Sequence, residues 1–390
     1  MSCTGRSIRQ FWRVIQPSMT RSITRWLIPI IPLFFSSCTR AEKFDLARLK
    51  APEGFHISVF AQAPNARMMA FSPGGTLLVT ETGDGNVVAL VDSKHTGHSE
   101  RTVTVLSDLD APHGIAFHNG KLYIAETNAV RRYDWDEANL RATNGQLIAK
   151  LPGSGEHFTR SIVFANGKMY VSAGSPCNVC KPDDPRRAAV MEFNEDGSSE
   201  RVFASGLRNA VGLVLNADTH TIWTTENGRD WLGDNLPPDE INDLGKQGGN
   251  FGWPYCYGNR VPDPSQSSSY DCAATIPPKV EIQAHSAPLG LTQYEGTMFP
   301  AQYRGNLFVA LHGSWNRSVP TGYKVVRIKL DQSGQVQDGP EDFITGFISP
   351  GEKRKGVYMG RPVGLVVGPD GALYISDDFA GKIYRVTYGK

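Results

Sequence analysis

Alternating apolar and polar positions recur along the chain in short runs, and six stretches share one plan. They read "NARMMAFSPGGTLLVTET", "APHGIAFHNGKLYIAET", "TRSIVFANGKMYVSAGS", "NAVGLVLNADTHTIWTTEN", "APLGLTQYEGTMFPAQYRGNLFVALHG" and "RPVGLVVGPDGALYISDD". In each, a small residue and an apolar pair open a strand, a turn containing Gly, Asn or Asp reverses it, and a period-two run such as "ALYISDD" returns. The unit is a β-hairpin. Copies start at Asn65, Ala111, Thr159, Asn209, Ala287 and Arg361. The first spacings, about 46 to 50 residues, match one four-stranded propeller blade, and the longer later ones imply inserted loops. The pattern therefore predicts an all-β fold, a six-bladed β-propeller of four-stranded antiparallel blades. "FHISVFAQ" precedes the first copy and "GKIYRVTYGK" ends the chain, so the first strand is expected to supply the outer edge of the last blade and close the ring.

Composition agrees with this. Forty glycines and 25 prolines in 390 residues favour turns over long helices, and 40% hydrophobic content can fill a large core. A formal charge of +1 supplies no field to gather nucleic acid. The first forty residues differ: no Asp or Glu precedes Glu42, and Arg6, Arg9, Arg13, Arg21 and Arg25 all precede the apolar run "WLIPIIPLFF". Ten residues broken by two prolines are too short to span a bilayer, so residues 1–40 read as an export signal and 41–390 as the propeller. "FSSC" then resembles a bacterial lipoprotein signal with Cys38 as the lipid attachment point. Simple secretion and a start at Met19 remain open beside it. The expected location is the periplasm or a membrane-anchored position. Export makes disulfides the expected state of the Cys177/Cys180 and Cys256/Cys272 pairs, and one C-x-x-C alone is a poor basis for a zinc site.

Loops at one end of a propeller gather residues from every blade around the central channel. At the starts of the six repeats stand Arg67, His113, His157 with Arg160, Arg208 with Asn209, His285 and Arg361. A ring of guanidiniums and imidazoles suits a planar ligand with several carboxylates, because arginine binds carboxylates as a fork and stacks on flat rings. A histidine among them, neutral near pH 7, can act as a general base.

The ordered set "GEHFTRSIVF", "GLRNAVGL", "TTENGRDWLGDNLPPDEIN", "HSAPLGL", "HGSWNR" and "GRPVGLVVGPDGALYISDD" resembles the pyrroloquinoline quinone (PQQ)-dependent sugar dehydrogenases, especially the sorbosone dehydrogenase branch. The resemblance covers the chain from about Ala51 onward and implies a six-bladed propeller. It also implies that His157 takes the sugar hydroxyl proton while hydride passes to the quinone. Arg208 and Asn209 match the pair beside the quinone oxygens, with Arg208 expected to polarise the accepting carbonyl. Arg361 and His285 match cofactor-pocket positions, and Arg317 in "SWNR" is the candidate for a quinone carboxylate. Arg67, His113 and Arg160 rest on repeat position. The loop after Glu226 resembles the calcium loop that holds the cofactor, with the main-chain carbonyls of Gly228 and Arg229 as ligands. Asp239 and Glu240 are expected to steady that loop or join a second calcium site.

The sequence departs from the family's compact form in two places. Its loop is longer, with Arg229 in place of a proline, and Ser175 stands where an acid orients the catalytic histidine. Fixing the imidazole is therefore expected to fall to Glu156 or another carboxylate. The implied activity is oxidation of an aldose or sugar-derived aldehyde. Cys180 is followed by Lys181, which leaves no C-x-x-C-H haem motif and implies an external electron acceptor. The competing readings are a calcium-dependent sugar lactonase and a non-catalytic propeller that binds an anionic ligand.

Overall fold

A computed structural model of the chain describes residues 42–389 apart from 154, 267 and 268. The export segment and the lipid site at Cys38 lie outside the described residues. Six four-stranded antiparallel sheets follow in the order of the repeats. Blade 1 runs from Ala66–Phe71 to Arg101–Leu106, blade 2 from Gly114–His118 to Arg141–Lys150, and blade 3 from Ile162–Ala165 to Arg201–Ser205. Blade 4 begins with Ala210–Asn216 and ends with Val280–Ile282, and blade 5 runs from Pro288–Gln293 to Val336–Ile344. Blade 6 contributes Pro362–Val367, Leu373–Asp377 and Lys382–Tyr388, and its fourth strand is Phe55–Gln62 from the start of the domain. Phe55 pairs with Tyr388 and Gln62 with Lys382, so the ring closes as expected.

The first strand of each blade lies innermost and packs against the first strand of the next, with Pro362–Val367 meeting Ala66–Phe71. Here the small residue of the repeat has its reason. A Cβ on Gly114 would stand 2.8 Å from Arg160 O, on Gly290 2.5 Å from Val363 O, and on Gly364 2.5 Å from Arg67 O. Only glycine lets neighbouring inner strands approach so closely. Hydroxyls on second strands then tie blade to blade: Thr80 donates to His113 O at 2.9 Å, Thr225 to Leu289 O at 2.7 Å, and Ser376 to Arg67 O at 2.5 Å.

The core sits between blades. Leu78, Val87 and Ala89 of blade 1 face Ile115, Leu122 and Ile124 of blade 2, and Phe55 packs edge-on against Phe299, Tyr303 and Phe343 at the closure. Both expected disulfides are formed, Cys177–Cys180 and Cys256–Cys272. The long insertion in blade 4 sends Gly249–Asn250 to pair in parallel with the outer strand of blade 3, and adds a small hairpin of Cys256–Tyr257 and Val261–Pro262. Sequence periodicity predicts neither feature.

Candidate active site

Loops from several blades enclose a cavity of about 330 Å³, within the range of small-molecule sites. Its cationic and imidazole lining comprises Arg67, Arg208, Arg361, His157, His285 and His312. Asn209, Asn227, Gly228, Asp230, Asp239, Trp315 and Asn316 complete most of the wall. A second chamber of about 570 Å³ adjoins it and shares Arg67, His157 and Asn209. The half-exposed ring of Phe158 and residues Thr82 and Thr159 line that second space.

His157 stands just before the first strand of blade 3 with a left-handed backbone, φ 51°. Its Nδ1 lies 3.0 Å from both the carbonyl and the hydroxyl oxygen of Ser175. The carbonyl can only accept, and the Ser175 hydroxyl donates to Cys177 O at 2.5 Å, so Nδ1 carries the proton and Nε2 the lone pair. Serine, rather than Glu156 or another carboxylate, therefore fixes the tautomer. Burial, then the nearby Arg208 charge, lowers the His157 pKa to about 3, so the imidazole is neutral near pH 7.

Arg208 is held on every side. Nε donates to Asn178 O, Nη1 to Asn227 O and Gly228 O, and Nη2 to Asn178 Oδ1 and Asp230 Oδ2, all between 2.9 and 3.1 Å. All five N–H groups are spent on the protein. This corrects the expectation that Arg208 donates to a ligand carbonyl: its contribution is a fixed positive charge. Asn209 beside it reaches both chambers.

The four residues expected to hold metal divide between two places. Gly228 and Asp239 line the main cavity, where Asp239 accepts from Gly228 N at 2.9 Å and Ala287 N at 2.8 Å, and burial raises its pKa to about 7. Arg229 turns away to pair with Asp263 at 3.0 Å. With Glu240 and Gly228 it lines a separate void of about 20 Å³, room for one water-sized particle. Glu226 faces the same void, directly opposite Glu240 across adjacent strands. Burial raises Glu240 to about 7 and pushes Glu226 well above the usual carboxylate range, and Glu226 Oε2 has no hydrogen-bond partner. An unpartnered buried oxygen beside a second carboxylate fits a hard cation. Among the described residues, no group of three or more His, Cys, Asp and Glu side chains could hold a metal, so such a cation would also draw on carbonyl oxygens.

On the opposite wall, Asp378 clamps two ligand-facing groups, accepting from Arg67 at 2.8 Å and His312 at 2.9 Å. Arg361 donates from Nε to His312 O and from Nη2 to Gly313 O, and lies over the rings of Tyr358 and Tyr323. His285 donates to Gly233 O at 2.8 Å. Three expected cofactor residues lie elsewhere. His113 is fully buried beneath the cavity, with Nδ1 on Arg160 O and Nε2 3.5 Å from Arg67, so it supports Arg67 from below. Arg160, also fully buried, spends its guanidinium on the carbonyls of Pro152, His157 and Thr159 and shapes the His157 loop. Arg317 binds Asp234 O and Asn235 Oδ1, joining two rim loops instead of facing the cavity.

His312, Asp230, Asn227, Trp315 and Asn316 are absent from the sequence expectation. A signal existed for two of them. The position just past the second strand reads Thr82, Asn227, His312 and Asp378 in blades 1, 4, 5 and 6, and Ser175 lies one residue further on in blade 3. Second-strand ends deliver polar groups to the site as first-strand starts do.

The chain is 32% identical over 371 residues to an uncharacterized protein of Borreliella burgdorferi, covering 91% of this chain and 95% of that one. It is 26% identical over 419 residues to the pyrroloquinoline quinone-dependent pyranose dehydrogenase of Coprinopsis cinerea, covering 90% of this chain but 56% of that longer relative. The solved holo form of that enzyme's PQQ domain superposes with a TM-score of 0.75 at 26% identity, over 87% of this chain and 97% of the domain. A family model matches residues 49–389, the whole propeller from just before its first strand, and the chain belongs to that family, TrAA12-like.

Proposed function

We propose that this protein oxidises an aldose or sugar-derived aldehyde with PQQ and calcium. The observation that carries the reading is the cavity of about 330 Å³ in which three guanidiniums and three imidazoles face one space. Arg67 and Arg361 are suited to the carboxylates of the cofactor, with His285 and Asn209 against its remaining edges and His312, whose one proton goes to Asp378, as an acceptor. The bound quinone supplies the hydride acceptor. His157 Nε2 takes the hydroxyl proton of a sugar in the adjoining chamber, since His157 is common to both spaces. The fixed charge of Arg208 favours negative charge developing beside it.

Calcium is supported by the chemistry of its donors. Gly228 O and Asp239 offer oxygen to the cavity, and the opposed Glu226 and Glu240 offer a second place behind it. The disulfides accord with an exported protein, and the lipoprotein-type signal with an anchor at Cys38. Electrons leave to a separate acceptor.

Titrating the purified protein with PQQ and calcium, then adding a panel of aldoses and sugar aldehydes, tests the reading. A stoichiometric, calcium-dependent quinone spectrum that bleaches with one of them is the expected result. Absence of cofactor binding overturns it, and hydrolysis of a sugar lactone without any redox dye replaces it with a lactonase.

A further inference from the structure

We propose that the four-residue ring closed by the Cys177–Cys180 disulfide positions both His157 and Arg208, with Asn178 as its working contact. This rests on the reading of His157 as the base. Neither cysteine nor Asn178 lines the cavity, so whatever the ring does, it does through neighbours.

Asn178 uses both ends of its amide and its main chain at once. Oδ1 accepts from Arg208 Nη2 at 3.0 Å and from Asp230 N at 2.8 Å, while Nδ2 donates to Asp230 O at 3.3 Å. Its carbonyl accepts from Arg208 Nε at 3.1 Å and from Trp253 Nε1 at 3.3 Å. One residue therefore supplies two of the five acceptors of Arg208 and fixes the loop that carries a third, Asp230. Ser175, two positions before the ring, donates its hydroxyl to Cys177 O, which leaves that oxygen as an acceptor for His157 Nδ1, while its carbonyl is shared between His157 Nδ1 and Arg187 Nη2. The loop also meets Arg208 through its backbone, with Ser175 N donating to Arg208 O at 2.6 Å.

A side chain as small as asparagine holds such a geometry only if its backbone is fixed. A disulfide across three bonds of sequence removes most of that freedom at the position where it matters. The ring thus sets the distance between a base and a buried cation, and after burial that cation does most to keep the base unprotonated. The charges facing His157 are Arg208, Arg187 and Arg160, and Asp230 and Asp239 line the same cavity. If Arg208 shifts away, the His157 pKa rises toward its ordinary value.

The test compares Asn178→Ala, Asn178→Asp and Cys177→Ser/Cys180→Ser in the PQQ- and calcium-loaded protein. Asn178→Asp keeps the Oδ1 acceptor for Arg208 and Asp230 N but sets its second oxygen against Asp230 O, so it is expected to lose kcat by less than Asn178→Ala, within about 10-fold of the parent. Asn178→Ala and the opened ring are expected to lose about 10- to 100-fold in kcat, the scale of small misplacements, with cofactor affinity little changed. His157 is also titrated by NMR in histidine-labelled protein, its signal assigned with His157→Gln, and its pKa rises in the alanine and opened-ring variants. Turnover and His157 titration unchanged in both overturn the proposal. So does an Asn178→Asp loss as large as that of Asn178→Ala with the His157 titration unmoved, because a mere structural tie behaves that way. If the parent turns over no sugar, the dehydrogenase reading fails, and the His157 titration alone decides the positioning.

Discussion

Replacing Glu226 by glutamine removes one of two carboxylates that oppose each other across a buried strand pair. What burial costs a carboxylate at this place is read from Glu240 opposite, whose pKa rises from 4.5 to about 7 on folding with burial the largest cause. At about 1.4 kcal/mol per unit, holding that site ionised costs the folded state roughly 3 kcal/mol. Below pH 4.5 both states keep the proton and the cost is absent. Between pH 4.5 and 7 the unfolded chain releases a proton that the folded protein keeps, so stability falls across that window and levels off above it. Glu226 is likewise pushed well above the usual carboxylate range, by burial first and by Glu240 next, and its Oε2 has no hydrogen bond to lose. In calcium-free buffer, Glu226→Gln is therefore expected to stabilise by about 1–3 kcal/mol at pH 8 and to be near neutral at pH 5. Millimolar calcium should raise the melting temperature of the parent at pH 8 and raise that of the variant far less. Urea unfolding at the two pH values, with chelator and with calcium, reads all of this. A variant equally destabilised at both pH values, with no response of the parent to calcium, would refute the reasoning.

His157→Ala should still take up PQQ, since Arg67 and Arg361 remain, while turnover falls about 10²–10⁴-fold; single-turnover bleaching of the quinone separates the two effects. Gly364→Ala places a Cβ 2.5 Å from Arg67 O and should cost about 1–3 kcal/mol in urea unfolding. A neutral outcome there would mean that the inner strands can separate without loss. Arg361→Ala should weaken PQQ binding in an optical titration, whereas Arg317→Ala, which loosens only the rim contact with Asp234 and Asn235, should leave it within about 3-fold.

The six blades were legible because each hairpin repeats the same alternation with the same small opening residue, and the ring geometry enforces both. Gly114, Gly290 and Gly364 are small because a neighbouring backbone leaves no room for a Cβ. His157, Asn209, His285, Arg67 and Arg361 were legible at repeat starts for a similar reason: the start of each inner strand opens onto the channel. Residues outside the repeat were not. Arg317 sits in a rim loop without period, and whether its side chain points inward or across to Asp234 depends on contacts with another blade. His113 and Arg160 occupy the expected repeat positions, yet turn under the floor, because a period fixes where a residue stands and not which way a long or planar side chain folds.

The strand that closes blade 6 is the first of the domain to be made, and its partner Lys382–Tyr388 is the last. Vectorial synthesis therefore delivers the two halves of one blade at opposite ends of the process. Until the final residues emerge, Phe55–Gln62 carries an unpaired edge and the aromatic cluster around Phe55 is unfinished. The native ring is the kind of long-range contact that folds slowly, and it ties assembly to completion of the propeller. Joining the paired ends by a short linker and opening the chain at a turn between blades should give a circular permutant that keeps every sheet, while its order of synthesis no longer leaves one strand waiting for the last.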